Sequence, residues 1–138
     1  MISSLWSPAI SHIFFSEAVI SLNGPAATAF SSATKASHDG YKSIFGGCIH
    51  SRDICFNNNS LILCDELRGN FKVAKSRFYF HPDLMVTLNE NILLIDGKNF
   101  SMKCNLKNEN ASLLDSFWYP EFGVEVPNKL LVVEIKNK

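Results

Sequence analysis

No lysine or arginine precedes Lys35, so the apolar clusters between Met1 and Leu22 lack the basic segment that a signal peptide needs. His12 and Glu17 also interrupt a run already too short to span a bilayer. The segment is therefore read as part of a soluble protein, with periplasm and cytoplasm both open as its location. Charge of one sign is missing too: 13 basic and 13 acidic side chains give a net charge of zero, which excludes a global field drawing the chain to nucleic acid or to an anionic membrane. None of the four cysteines (Cys48, Cys55, Cys64, Cys104) has C-x-x-C spacing, which argues against a zinc ribbon or redox pair. They read as reduced packing residues in apolar runs. Gly46-Gly47 lacks the helix and lysine of a phosphate loop. No nucleophile motif, internal repeat, heptad or low-complexity tract is visible.

What is present is a one-domain chain of 138 residues, 46% apolar and 19% charged, with 11 Phe against 3 Met. That length can bury a continuous core, and the aromatic bias suits pleated strands. Three apolar runs dominate the middle: Cys48 to Phe56, Leu61 to Leu67 and Phe71 to Phe80. Turn chemistry in Asn57-Asn58-Asn59, Arg68-Gly69-Asn70 and His81-Pro82-Asp83 separates them, so they read as a β-meander. Leu84 to Leu88 and Ile92 to Ile95 follow as short strands around Asn89-Glu90-Asn91. Asp96-Gly97 then signals a type I′ hairpin returning through Asn99 to Leu106. Ala111 to Trp118 leads into Tyr119-Pro120, and Leu130 to Ile135 forms the last strand. Turns at this interval predict an all-β, antiparallel, meander-rich sandwich.

Residues 1–37 are a different kind of segment, with Glu17 and Lys35 their only charges. Ile10 to Leu22 fits one or two strands and a short helix about equally. Asn23-Gly24-Pro25 is a turn, and Ala26 to Ser37 reads as a loop or linker, with a strand laid over the sheet as the alternative. Gly40 supplies positive φ to the turn that follows.

Five short stretches, in order, resemble one family. They are His38-Asp39-Gly40-Tyr41; Ile49-His50-Ser51-Arg52; Ile62 to Gly69 with Asp65 and Leu67; Arg77-Phe78-Tyr79-Phe80-His81-Pro82; and Trp118-Tyr119-Pro120-Glu121-Phe122-Gly123. Together they are similar to the C-terminal β-sandwich of the heparinase II/III-like polysaccharide lyases, over residues 38–138. Ser3-Ser4-Leu5-Trp6 loosely resembles an upstream element, which would make residues 1–37 early strands of the same domain. The resemblance implies a β-sandwich without the family's α/α toroid, and β-elimination on uronic-acid polysaccharides carried out with that toroid, as a further domain or a separate chain. Two other readings stay open: a non-catalytic module that binds acidic polysaccharide, and a structural fragment with no ligand.

The chemistry of such lyases needs a group that neutralises a uronate carboxylate, a base and an acid. In the resembled family the base and acid lie mainly on the toroid, and the assisting β-domain histidine lies upstream, so no residue here inherits a catalytic role. His38, Tyr41, His50, Arg52, Arg77 and His81 are the candidates for holding an acidic sugar, since arginine pairs carboxylate or sulfate in two-point geometry. His50 also fits a satisfied structural histidine, and His81 a strand-end residue. No cofactor is expected; the resemblance also brings a structural zinc, for which His50 or His38 with Asp65 would be remnant ligands. Asp65 otherwise reads as the cap of the hairpin before Gly69. Trp118, Tyr119 and Phe122 read as core packing, with sugar stacking as the alternative.

Overall fold

The structure is a computed structural model and describes residues 10–22, 31–43, 47–57, 60–107 and 110–136. Among these there is no helix, hence none long and apolar enough to cross a membrane. Ten strands follow one another: β1 (Ile10–Leu22), β2 (Ser31–His38), β3 (Ile49–Asn57), β4 (Ser60–Arg68), β5 (Val73–Tyr79), β6 (Met85–Asn89), β7 (Ile92–Asp96), β8 (Phe100–Leu106), β9 (Ala111–Trp118) and β10 (Val126–Lys136). They form two antiparallel sheets, a seven-stranded one ordered β2-β3-β4-β1-β8-β7-β6 and a three-stranded one ordered β5-β10-β9. The fold is thus an all-β sandwich with sheets of unequal width.

Its core lies between the sheets. Val86, Leu93, Ile95, Cys104 and Leu106 come from the wide sheet, and Leu131, Val133 and Ile135 from the narrow one. Alternation on β10 explains the second set: its odd-numbered residues face inward, opposite Phe78, Ser76 and Ala74 of β5. Val133, at the centre, is wholly enclosed.

The leading segment resolves as strand. β1 is a single strand inserted between β4 and β8, pairing Ile10 with Arg68 at one end and Leu22 with Phe100 at the other. β2 forms where the small-residue stretch reads as a loop, because pairing along β3 overrides the weak β-propensity of Ala and Ser. Cross-strand contacts support it: the Ser37 and Ser51 hydroxyls meet at 2.9 Å, and Lys35 reaches Asp53 at 3.3 Å. Ser3 to Trp6 and Asn23-Gly24-Pro25 lie outside the described residues.

The central meander is corrected in one respect. β3 and β4 form the expected hairpin, but β5 leaves the sheet and pairs with β10, while β1 takes the place beside β4. The change of sheet starts at Gly69, whose φ of 131° is open only to glycine; a Cβ there would lie 2.7 Å from the Cys48 Cα. β6, β7 and β8 do form a true meander. Its Asp96-Gly97 corner is not type I′, because Gly97 has no positive φ. The loop closes instead by the Gly97 N–H donating to the Phe100 carbonyl at 2.9 Å, and the Phe100 ring fills the space a Cβ would need, 2.4 Å away. In the preceding hairpin the left-handed residue is Glu90, with φ 52°.

The four cysteines are free thiols, in three kinds of place: Cys48 and Cys104 are buried, Cys64 is half-buried and Cys55 is exposed on β3. Burial pushes the Cys104 thiol up to about 11. In the native protein Cys55 is expected to react first with a thiol reagent and Cys104 last, with all four reacting once the chain is denatured. A second expectation concerns Gly69. Gly123→Ala introduces left-handed strain at φ 78° with no neighbour within 4 Å and costs about 1 kcal/mol. Gly69→Ala meets backbone as well, and denaturant titration should show a clearly larger loss.

Candidate functional site

The narrow sheet covers only part of the wide one, so β2 and the adjoining part of β3 project beyond β5. Alternation on β3 turns His50 and Arg52 inward at that overhang, and β4 brings Asp65 opposite Arg52 in the same register. Asp65 is 1% exposed. A carboxylate so buried needs its lone pairs occupied. Arg52 donates from Nε to Oδ1 at 2.6 Å and from Nη2 to Oδ2 at 2.7 Å, the two-point geometry that guanidinium and carboxylate share. Ser76 of β5 donates to Oδ2 at 3.1 Å, and His50 Nε2 lies 2.8 Å from Oδ1. Since the ionised carboxylate only accepts, Nε2 carries the proton and donates.

Burial alone would raise the Asp65 carboxyl, but the bonds from Arg52 and His50, with their charges, outweigh it and hold the group below its ordinary value. The same pairing raises Arg52, against its own partial burial. The Arg52 guanidinium also lies 5.5 Å from the centre of the Phe78 ring, a cation–π distance. Its bonds to Asp65 and Ser76 use Nε and Nη2, and the residue also lines the cleft above.

That cleft has a volume of about 390 Å³; Tyr41, His50, Arg52, Lys75 and Arg77 line it, over Asp65 and an apolar floor that includes Phe71 and Ile135. Four of the residues singled out from sequence thus meet in one place: Tyr41, His50, Arg52 and Arg77. His38 stands beside them, its ring 5.3 Å from that of Tyr41 and its backbone opposite His50. Gly40 is needed there for space and not for positive φ, since a Cβ would lie 2.4 Å from the His38 ring. His81 is elsewhere, at the far end of β5, with its ring 4.9 Å from Trp118 and its Nδ1 accepting from the Asp83 N–H at 3.3 Å.

Three features escaped the sequence reading. Asp65 is no hairpin cap but the centre of the network. Its signal was present: on β4, Leu61, Leu63, Asp65 and Leu67 share the inward face, and a lone charge in such a row demands a partner. Ser76 and Lys75 gave no comparable signal. Finally, the aromatic end is not core packing: Trp118, Tyr119 and Phe122 are 40%, 65% and 106% exposed.

The donors that the resemblance would give to zinc do not suit a metal in this arrangement. Arg52 occupies both oxygens of Asp65, and the His50 nitrogen nearest them carries a proton. Among the described residues no group of three or more His, Cys, Asp or Glu converges. What the cleft offers is cationic N–H groups beside a hydroxyl and an apolar floor, an arrangement for holding an anion.

A two-sheet antiparallel sandwich with a cationic cleft where the narrow sheet stops short is the class of protein that fold and site define. Residues 16–138 match the family described as heparinase II/III-like, C-terminal, and the chain belongs to that family. No curated protein and no solved structure shows a significant match to it.

Asp65→Asn should cost about 3 kcal/mol, the order found when one partner of a buried ion pair is removed. The pH dependence has a fixed sign. A carboxyl held below its ordinary value contributes stability that is complete above the ordinary carboxylate range, about pH 4, and is lost as pH falls through the lowered value. Urea titrations from pH 7 to pH 2 should show a steeper acid loss in the native protein than in Asp65→Asn.

Proposed function

We propose that this chain is the β-sandwich part of a polysaccharide lyase acting on uronic-acid polymers by β-elimination, and that it holds the acidic chain without cleaving it. The observation that carries the reading is the balance of charge in the cleft. Arg52, Lys75 and Arg77 line it against one acid, Asp65, which is buried and fully engaged. Lys75 has a loose partner in Glu134 at 3.8 Å. Arg77 has no ion-pair partner among the described residues. A uronate carboxylate or a sulfate supplies the missing negative charge, with two-point bonding to guanidinium.

Base and acid belong to an α/α toroid, on the same or another chain. β-Elimination requires them to be preorganised about the sugar, and a sandwich edge encloses it on one side only. His50, the best-placed base by residue type, has its Nε2 proton committed to a carboxylate that Arg52 already neutralises.

Two results are expected. Arg77→Gln should weaken binding to heparin or alginate about tenfold at low salt, the order of one charge-assisted bond, and salt should weaken the native protein more than the variant. Incubation of the pure chain with heparin, heparan sulfate or alginate should give no ultraviolet-absorbing unsaturated product. Product formation that disappears in His50→Ala would place the active site in the sandwich itself and overturn the reading.

A further inference from the structure

Among the described residues β5 is an edge of the narrow sheet, hydrogen-bonded to β10 alone. Its register places Lys75, Arg77 and Tyr79 on the outer face, opposite Glu134, Val132 and Leu130. The same three residues turn their backbone N–H and C=O off the edge. The Phe80 N–H donates to the Lys129 carbonyl at 3.0 Å, which makes the even-numbered residues the bonded ones and leaves the odd ones open. The row continues to His81, whose ring meets Trp118. At about 3.3 Å per residue, Lys75 to His81 spans about 20 Å. One end of this row opens on the cleft beside Arg52 and the other on exposed aromatic rings, Tyr79 at 62%, Trp118 at 40% and Tyr119 at 65%.

Resting on the function proposed above, we infer that the β5 edge is an extended track for an acidic oligosaccharide, with its charged unit at Arg52 and Arg77 and further sugar rings on the separate exposed rings of Tyr79 and Trp118. Each part of the track matches one part of such a ligand. Guanidinium takes the carboxylate or sulfate, the open backbone groups take hydroxyls, and an aromatic face takes the apolar face of a pyranose ring. The distribution of charge argues against one other occupant. Added protein strands are discouraged by cations on an edge, the device by which sheets avoid pairing. A single-stranded nucleic acid, also anionic, is separated from the saccharide by the test below.

The test compares a disaccharide with an octasaccharide from heparin, followed by calorimetry on the native protein, Arg77→Gln and Trp118→Ala. The octasaccharide should bind the native protein at least about tenfold tighter than the disaccharide. Trp118→Ala should remove that gain and leave the disaccharide unchanged, whereas Arg77→Gln should weaken both ligands. Tyr79→Ala, at a second exposed ring, should repeat the Trp118→Ala result, and thermal unfolding of each variant checks that the sandwich is intact. If Trp118→Ala and Tyr79→Ala bind the octasaccharide as the native protein does, the track is overturned and the cleft stands alone, leaving the rings to a protein partner. Equal affinity for a single-stranded oligonucleotide would overturn the ligand class. Failure of both saccharides to bind would overturn the track and the cleft together.

Discussion

The positions of Arg52 and His50 in the cleft depend on one buried carboxylate. Asp65 belongs to β4, Arg52 and His50 to β3, and Ser76 to β5, so the bonds to Asp65 tie neighbouring strands of the wide sheet and reach across to the narrow one. A buried ion pair is not by itself a strong source of stability, since well-packed apolar side chains could serve as well. Its consequence is positional. A slip of β3 against β4 by one residue would carry Arg52 to the outer face and leave Asp65 buried without a counter-charge. Such a state costs several kcal/mol, which is enough to fix the register of the hairpin and therefore the location of Arg52 and His50.

The second constraint is the difference in width between the sheets. Three strands cannot cover seven, and the uncovered inner face must be tolerable to water. On β2 that requirement is met by small and polar residues, with Thr34, Ala36 and His38 all exposed. On β3 it is met by His50 and Arg52, half-buried groups whose polar ends bond Asp65, with the Arg52 guanidinium over the Phe78 ring. The composition of residues 31–37, part of a stretch that reads locally as a linker, is what an overhanging edge strand needs. A bulkier apolar strand would leave an exposed patch there.

Sequence made the hairpins legible and their partners much less so. β3–β4 and β6–β7–β8 follow from alternation and from Asn and Gly turns, because each pairing is decided within about ten residues of chain. The departure of β5 is decided by β1, more than forty residues away from it, which fills the edge of β4; no local turn signal carries that information. Within the site, the row Leu61, Leu63, Asp65, Leu67 carries a charge in need of a partner, with Arg52 at hand in the adjoining strand, although Asp65 reads first as a hairpin cap. The exposure of Trp118, Tyr119 and Phe122 could not be read in the same way. Aromatic residues at a strand end look alike whether the opposite sheet reaches them or stops short, and only the relative lengths of the two sheets decide it.

The use of Asp65 bears on how one buried charge is divided between Arg52 and His50. A carboxylate paired with a histidine alone strengthens that histidine as a base by stabilising its protonated form. Here both oxygens of Asp65 are bound by a guanidinium that is never deprotonated, and His50 shares only Oδ1 with it. Fixed cation and strong base are competing uses of a single buried charge, and the two-point bond gives Arg52 the larger share of it.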